Sequence, residues 1–465
     1  MAHKYDEGVG PAIARGARID LLATVELLHT VLTESLCETV FAATRVTERI
    51  RDWTLKALVD FWTAVILRAP QSLTQALREA QEDPTSGWPT IPATSKQGFF
   101  EHCKELRWEF FANLFEAFLT RILPKAKATF CSEGSFLRER FPEVWALDGS
   151  RLDAIAHRLK ILWDVRSVVL PGCLEVAYDL FRGIPRILHF DPDAAKAESK
   201  RIFAILGAIP AGTLLLGDRL YASVALFAEL ADRHLCGVFR RNATVSLRKV
   251  KRLRRFKKGG DLHEDWLVDA GSGVKTPVQR LRWIRVRRQR IWYELLTNVL
   301  DPQLLSTEEA ISLYPFRWTI ERLFFDLKEV INLHCFYAAN PNAVAMQVYA
   351  AALVYTAMRV AQGIGADRVG VKPDSISTAK LFPRVAAASH GWACTQIAER
   401  EIKKLNPTVK LRIPDWHKRP FASVALADIL VEHRDDTRRS RRYCRGRKRW
   451  KSFVHVRGGR KLIGR

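Results

Sequence analysis

Short apolar runs without a break, set apart by turn residues, constrain this chain more than any other feature. Val144-Trp145-Ala146-Leu147 offers solvent no polar side chain, as in a strand covered on both faces, and it ends at Asp148-Gly149-Ser150. A second β-rich region, Ser167 to Tyr178, is broken by Pro171-Gly172, and a third strand, Pro185 to Phe190, closes at Asp191-Pro192-Asp193. Residues 194–207 have helical composition. Gly212 to Gly217 is another buried strand, and it ends in Asp218. A helix over about Ser223 to Leu235 and a fifth strand, Cys236 to Phe239, come next. The order β-β-β-α-β-α-β predicts a mixed sheet with helices on its faces. Two of its strands stop at an aspartate.

A second constraint lies further on, in Tyr314 to Lys328. On a helix, at about 100° per residue, Arg317, Lys328 and Tyr314 fall within about 40° of Glu321. Phe316, Ile320, Leu323, Phe324, Leu327 and Ile331 fill the neighbouring arc, while Arg322 and Asp326 point to a third, solvated side. Core packing needs only the apolar stripe. The charged arc reads either as a surface ion-pair cluster or as a site for a metal and phosphates. Ser306-Thr307-Glu308-Glu309 signals a helix start ahead of it. Pro315 removes an N–H and disfavours a helical Tyr314, so the spacing predicts a short helix, a break, and a new helix from Pro315 with Tyr314 at its cap.

Around these two features the chain sorts into regions. Ile19 to Leu67 reads as helices without Pro or Gly, and Ala69 to Ser95, with Pro70, Pro84, Pro89 and Pro92, as a connector. Gln97 to Ile122 is helical, with its aromatic residues assigned to core. From Arg240 to Lys258 runs a dense basic stretch with Leu247, Val250, Leu253 and Phe256 at spacings of three. Arg280 to Val286 alternates basic and apolar residues, as a half-exposed strand with a cationic face does, and Arg290 to Leu296 is its expected partner. Asn340-Pro341-Asn342 opens an apolar helix to about Arg359, after which a polar connector and further helices reach Glu432. The tail from Arg438 carries 13 Lys or Arg in 28 residues, a composition suited to a non-specific nucleic-acid arm.

Composition limits the partners. The 465 residues carry a formal charge of +24 and a pI near 9.9, more than solubility needs, which points to a polyanion such as nucleic acid. Eight scattered cysteines form no Cys-x-x-Cys pair, and no signal peptide precedes them, so reduced thiols and no zinc site are expected. The apolar runs read as too short or too interrupted to span a membrane. A cytoplasmic, nucleoid-associated bacterial protein is the expectation.

Carboxylates at two strand ends of one sheet can converge with one on a helix packed against it. Three such groups repel one another unless divalent cations bind them, and two Mg²⁺ ions can promote phosphodiester displacement. Each aspartate alone has an ordinary explanation: Asp148-Gly149 a turn, Asp218 a helix cap. Their conjunction with the Tyr314, Arg317, Glu321, Lys328 spacing and a basic insertion is far more specific. Glu329 is the nearest alternative acid on the helix, and Asp326, Asp153, Asp164 and Asp191 are less well placed.

At this point the sequence resembles bacterial insertion-sequence transposases of the DDE type, in their IS-four-like group. Tyr314, Arg317, Glu321 and Lys328 match its Tyr-x2-Arg-x3-Glu-x6-Lys signature, and the Asp148-Gly149-Ser150 and Asp218-Arg219-Leu220-Tyr221 blocks look like its first and second aspartate motifs. Family members more often have Gly where Leu220 stands and often Thr where Ser150 stands. The resemblance covers about residues 95 to 360.

It implies an α/β, ribonuclease-H-like mixed sheet with a β-rich insertion before the catalytic glutamate, an α-helical N-terminal domain and a helical, basic C-terminal region. The implied bounds are a DNA-binding helical domain over 1–138, a catalytic domain over 139–240 and 300–362, an insertion over 241–299, a helical region over 363–437 and a tail over 438–465. Asp148, Asp218 and Glu321 would bind Mg²⁺ or Mn²⁺, two ions in all. Water would attack the phosphodiester at the transposon end, and the freed 3′-hydroxyl would attack target DNA. Tyr314, Arg317 and Lys328 would hold DNA phosphates. Related enzymes can form a hairpin at the end and trap a flipped base on an aromatic residue of the insertion, for which Trp283, Trp292 and Trp266 are candidates beside their ordinary role in packing. Partners would be double-stranded DNA, as transposon ends and as target, and a second copy of the chain in a synaptic homodimer, with no membrane. The alternatives are another nuclease on the same fold and a domesticated DNA-binding protein without catalysis.

Overall fold

The computed structural model describes residues 17–48, 52–83, 85–152, 172–193, 198–272, 278–333, 335–338, 340–405 and 419–431. The expected basic tail, Asp153, Asp164 and the first part of the second β-rich region lie outside them.

The N-terminal third is helical. After a short strand β1 (Arg18–Asp20) come α1 (Leu22–Val31), α2 (Glu34–Thr44), α3 (Leu55–Arg68), α4 (Leu73–Glu82), α5 (Lys96–Glu105) and α6 (Glu109–Ile122). The Pro-free run from Ile19 is cut into separate helices because Thr33 and Thr54 leave the helical conformation and their side chains accept the N–H groups of Leu36 and Ala57. Ser72 does the same for α4, which lies inside the stretch expected to be a connector. Its three buried residues, Leu73, Ala76 and Leu77, were too few to stand out among the prolines around them.

One sheet of nine strands comes next: β2 (Val144–Arg151), β3 (Cys173–Asp179), β4 (Ile184–Asp191), then after α7 (Glu198–Ile205) β5 (Leu214–Gly217), and after α8 (Val224–Asp232) β6 (Cys236–Arg240), with β7 (Leu247–Lys258), β8 (Asp261–Ala270), β9 (Gln279–Arg288) and β10 (Ile291–Thr297). The spatial order is β4-β3-β2-β5-β6-β10-β9-β8-β7. β2, β5 and β6 are parallel and every other neighbouring pair is antiparallel. The basic segment therefore adds no separate sheet. β10 pairs with β6, and four long strands extend the mixed sheet on that side.

The period of three in the basic run has a physical cause. Register shifts between Lys249 and Lys251 and between Arg252 and Arg254 leave Val250 and Leu253 as extra residues in β7. Each bulge resets the two-residue alternation.

The sheet divides two cores. On one face Val144, Ala146, Leu214, Leu216, Val238, Ile284 and Leu295 join the large cluster built with the N-terminal helices and α11 (Pro341–Val369). On the other, Trp145, Leu147, Leu215, Phe239, Leu281, Trp283 and Leu296 pack with α7 and α8. α11 is long and apolar enough to cross a membrane by length and composition, which corrects the expectation that no run is. Its apolar window is wholly buried, among α1, α3, α6 and β4. The described cysteines are all free.

The insertion is bolted to the helix that succeeds it. Arg282, fully buried on β9, pairs with Asp265 of β8 and donates to the carbonyls of Val299 (3.1 Å) and Leu305 (2.8 Å). Thr307, the first residue of α9 (Thr307–Leu313), donates to the same Asp265 at 2.8 Å. A reciprocal cap between Ser306 and Glu309 starts α9, as its sequence predicts. The remaining elements are α10 (Thr319–Phe325), α12 (Thr378–Leu405), β11 (Ser423–Ala425), which pairs with β1, and α13 (Leu426–Ile429).

Candidate active site

Asp148 lies within β2, which does not end at the aspartate as expected but runs on to Arg151 because Asp148 to Arg151 still pair with Val176 to Cys173 of β3; Asp218 directly follows the last residue of β5. Ala146 of β2 pairs with Leu216 of β5, so the two aspartates come at matching levels. Side chains alternate across a strand, so Asp148 shares a face with Val144 and Ala146, and Asp218 with Leu214 and Leu216. That is the face on which α10 lies against β2. Glu321 on α10 is thereby brought over the face that carries the two aspartates.

The chain reaches Glu321 by a route different from the one expected. No break precedes Pro315. Tyr314 is helical (φ −55°, ψ −37°), its N–H bonds to the carbonyl of Ala310, and α9 passes directly into a tighter 3₁₀ stretch, Tyr314–Trp318, before α10. Proline sits in the first turn of that stretch, where its missing N–H costs least. Beyond Phe325 the helix widens into a π turn, Asp326–Val330, closed by a bond from Ile331 N–H to the carbonyl of Asp326 (2.8 Å). Asp326 is also not solvated: it is 3% exposed. Burial pushes its carboxyl up to about 6, against the opposing pull of Arg359 and Arg322.

Arg317 is the centre of the site. Its side chain is 7% exposed, and its two terminal nitrogens lie 3.8 Å from Asp148 Oδ2 and 3.5 Å from Glu321 Oε1. Desolvation alone would lower its pKa. Tyr314, Asp148, Glu321 and Asp218 together outweigh that and hold it above the usual arginine value. All three carboxylates and the phenol thus act on one guanidinium. Tyr314 is shifted upward, chiefly by burial, and feels Arg317, Asp218 and Arg240.

The grip on the guanidinium is loose. Both contacts exceed the roughly 2.7–2.9 Å of a strong charge-assisted bond, and the buried Nε of Arg317 has no partner. Among the described residues no three acidic, histidine or cysteine side chains are close enough to grip a metal ion as they stand. The donor set is nonetheless carboxylate oxygen, which suits Mg²⁺ or Mn²⁺, and the charge balance already calls for a cation at this point, a place Arg317 fills.

Lys328 does not join that centre. Its Nζ donates to Ser150 Oγ and to the carbonyl of Arg151, both at 2.7 Å, which ties the π turn to the end of β2 just past Asp148. The three candidate tryptophans lie elsewhere again. Trp266 pairs with Trp283, and Trp292 with Arg287, which puts all three on the face opposite the carboxylates. There they interleave with cations, Arg285 lying 3.8 Å from the Trp292 ring centre and Lys249 4.3 Å from that of Trp266. Trp283 is 7% exposed and part of the second core, the packing role weighed for it.

Several site residues escaped the sequence reading. Arg240 ends β6 beside Asp218 and bears on Tyr314. Trp318, 48% exposed, is overlain by the Arg317 guanidinium at 4.7 Å. Tyr221, buried in the block after Asp218, donates to the fully buried Glu175 at 2.6 Å and so anchors the turn that carries Asp218 to β3. Only Tyr221 had a local signal, its place in that block.

Residues 173–357 match the family described as transposase DDE domain. The match takes in Asp218, Tyr314, Arg317, Glu321 and Lys328, and begins after Asp148. Two curated relatives carry transposase names. A putative transposase, y4zB, of Sinorhizobium fredii (strain NBRC 101917 / NGR234) is 30% identical over 195 residues, 40% of this chain and 52% of the relative. A probable transposase for insertion sequence element IS5377 of Geobacillus stearothermophilus is 24% identical over 148 residues, 31% of this chain and 38% of the relative. The chain thus spans about half, or less, of the length of these relatives.

Proposed function

We propose that the chain is a DDE-type DNA transposase of a bacterial insertion sequence, of the group with the Tyr-Arg-Glu-Lys signature. Its reaction is metal-dependent phosphodiester hydrolysis at transposon ends, followed by transfer of the freed 3′-hydroxyl into target DNA. The observation that carries this reading is Arg317 lying 3.8 Å from Asp148 and 3.5 Å from Glu321, with Asp218 level with Asp148 just past the neighbouring strand, within a chain that matches the transposase DDE domain. The strand order β4-β3-β2-β5-β6 supports a ribonuclease-H-like catalytic core, with β7–β10 as its insertion.

Asp148, Asp218 and Glu321 would hold one or two divalent ions, which supply positive charge to the attacked phosphodiester and to the attacking oxygen. Arg317 serves as internal counter-ion to the three carboxylates and, when displaced, as a phosphate ligand. Tyr314, held against it, presents a hydroxyl to the same substrate oxygen region. Lys328 keeps the end of β2 in place through Ser150 and Arg151, and its charge lies near enough to the strand end to meet a DNA phosphate. Trp266 and Trp292, on the far face, could stack a base only of DNA that wraps around the sheet edge.

The test is Glu321→Gln, which keeps size and hydrogen bonding but removes the charge. Mg²⁺-dependent cleavage of transposon-end DNA should vanish while DNA binding persists. Cleavage retained by the variant would overturn the assignment of Glu321 as a metal ligand.

A further inference from the structure

The two hairpin tips of the inserted strands carry charge that neither the fold nor the catalytic centre uses. Lys258 pairs with Asp261 across Gly259-Gly260, and Arg288 with Ile291 across Gln289-Arg290. β8 and β9 are neighbours, with Leu262 opposite Arg287, so both turns lie side by side at one end of the sheet. Five cations gather there: Lys257, Lys258, Arg287, Arg288 and Arg290, all exposed. Asp261 neutralises Arg288 at 2.8 Å. No ion pair engages the other four among the described residues.

The second turn is strained. Two-residue hairpin turns with φ positive at both positions favour glycine, asparagine or aspartate. The first tip obeys, with Gly259 (φ +57°) and Gly260 (φ +87°). The second places Gln289 (φ +46°) and Arg290 (φ +71°) in the same left-handed region. A long cationic side chain kept where glycine would relax the backbone points to work done by that side chain.

Position supplies the remaining argument. Asp218 comes after Gly217, which pairs with Phe239, which pairs with Leu296 of β10, so the carboxylates and the tips face the same end of the sheet. The cations of the tips lie at β9, three strands from β5, and at β7, five strands from it, at about 4.8 Å per strand, and about four residues further along at about 3.4 Å each, a separation on the order of 20–28 Å. At about 3.4 Å per base pair that is about six to eight base pairs of duplex. Between them, on the carboxylate-bearing face of β6 and β10, come Arg240 and then Tyr293 (49% exposed) and Ile291 (59% exposed).

We propose that these tips are a clamp for the phosphate backbone of duplex DNA, engaging it about six to eight base pairs from the phosphate at the carboxylates. The inference rests on the proposed function for that distance, but not for the binding itself.

The test uses the full chain and a 40-base-pair duplex, with binding followed by fluorescence anisotropy in EDTA over a range of KCl concentrations. In the variant with Lys257→Ala, Lys258→Ala, Arg288→Ala and Arg290→Ala, the slope of log K against log salt should fall by about three to four, and affinity near physiological salt should fall at least tenfold. Arg290→Gly is the sharper variant. It relaxes the turn, so its thermal midpoint should stay level or rise, while the slope falls by about one. An unchanged slope and affinity in both variants would overturn the clamp. The assay needs no catalysis, so the two proposals fail separately: binding lost with the tips in a chain that never cleaves sinks only the catalytic reading, and cleavage with an unchanged slope sinks only the clamp.

Discussion

Arg317 shows how a single side chain can sit between like charges, here those of Asp148 and Glu321. Asp148, Asp218 and Glu321 would repel one another across a partly buried cleft, and the guanidinium among them offsets that repulsion at contacts of 3.8 and 3.5 Å to two of them. Replacing Arg317 by alanine leaves the carboxylates without their counter-ion. The variant should be less stable than the wild-type chain without metal, and millimolar Mg²⁺ should raise its thermal midpoint more than it raises that of the wild type. Equal shifts in the two proteins would mean that the carboxylates do not share one cation site. The identities of these residues, and the arc shared by Arg317 and Glu321, were legible in the sequence because helical spacing is local. That Arg317 would be 7% exposed and central, rather than on a rim holding phosphates, was not legible, since it depends on which strand ends α10 covers.

At the scale of elements, the segment from α9 to Val330 changes its winding twice over, from α to 3₁₀ and from α to π. An ideal helix drawn through it misplaces the residues beyond each change. Asp326, expected in solvent, is turned into the core, where burial lifts its carboxyl to about 6. Its unfolded value is near 3.9. Because the folded chain holds this proton more tightly, the group favours folding as pH falls from about 7 towards 4 and opposes it above. The opposition is at most about 3 kcal/mol at neutral pH. Asp326→Asn removes the titration, so its thermal midpoint should exceed that of the wild type at pH 8 and approach it at pH 5. A difference that does not change with pH would contradict the buried, protonatable Asp326. β7 teaches the same lesson for strands. Its period of three is not the two-residue period of a strand, and two bulges explain it.

For the whole molecule, α11 is the axis on which the N-terminal helices and the sheet meet. Gly363 lets it approach the segment between α6 and β2: a Cβ there would lie 2.7 Å from that of Ala128 and 3.5 Å from the Phe130 ring. Gly363→Ala should cost on the order of 1–3 kcal/mol through this overlap, seen as a lower thermal midpoint with little change in DNA affinity. A midpoint equal to the wild type would show that the segment yields. The continuity of nine strands also has a consequence at this scale. Arg282, Asp265 and Thr307 join the inserted strands to α9, and so link them through the continuous helical segment to Glu321.

From the sequence alone came the strand and helix order, Asp218 at a strand end, Glu321 with its cationic neighbours, and the polyanion partner expected of a +24 chain. All of these depend on local periodicity or on composition, which neighbours in the chain decide. Only the tertiary structure decided that β7–β10 continue the main sheet, that the tryptophans face away from the carboxylates, that Lys328 binds the end of β2, and that Asp326 is buried. Each of these depends on strand register or on helix winding. A single bulge or a widened turn moves every later side chain to a new face, and no pattern within the segment itself records which partner it will meet.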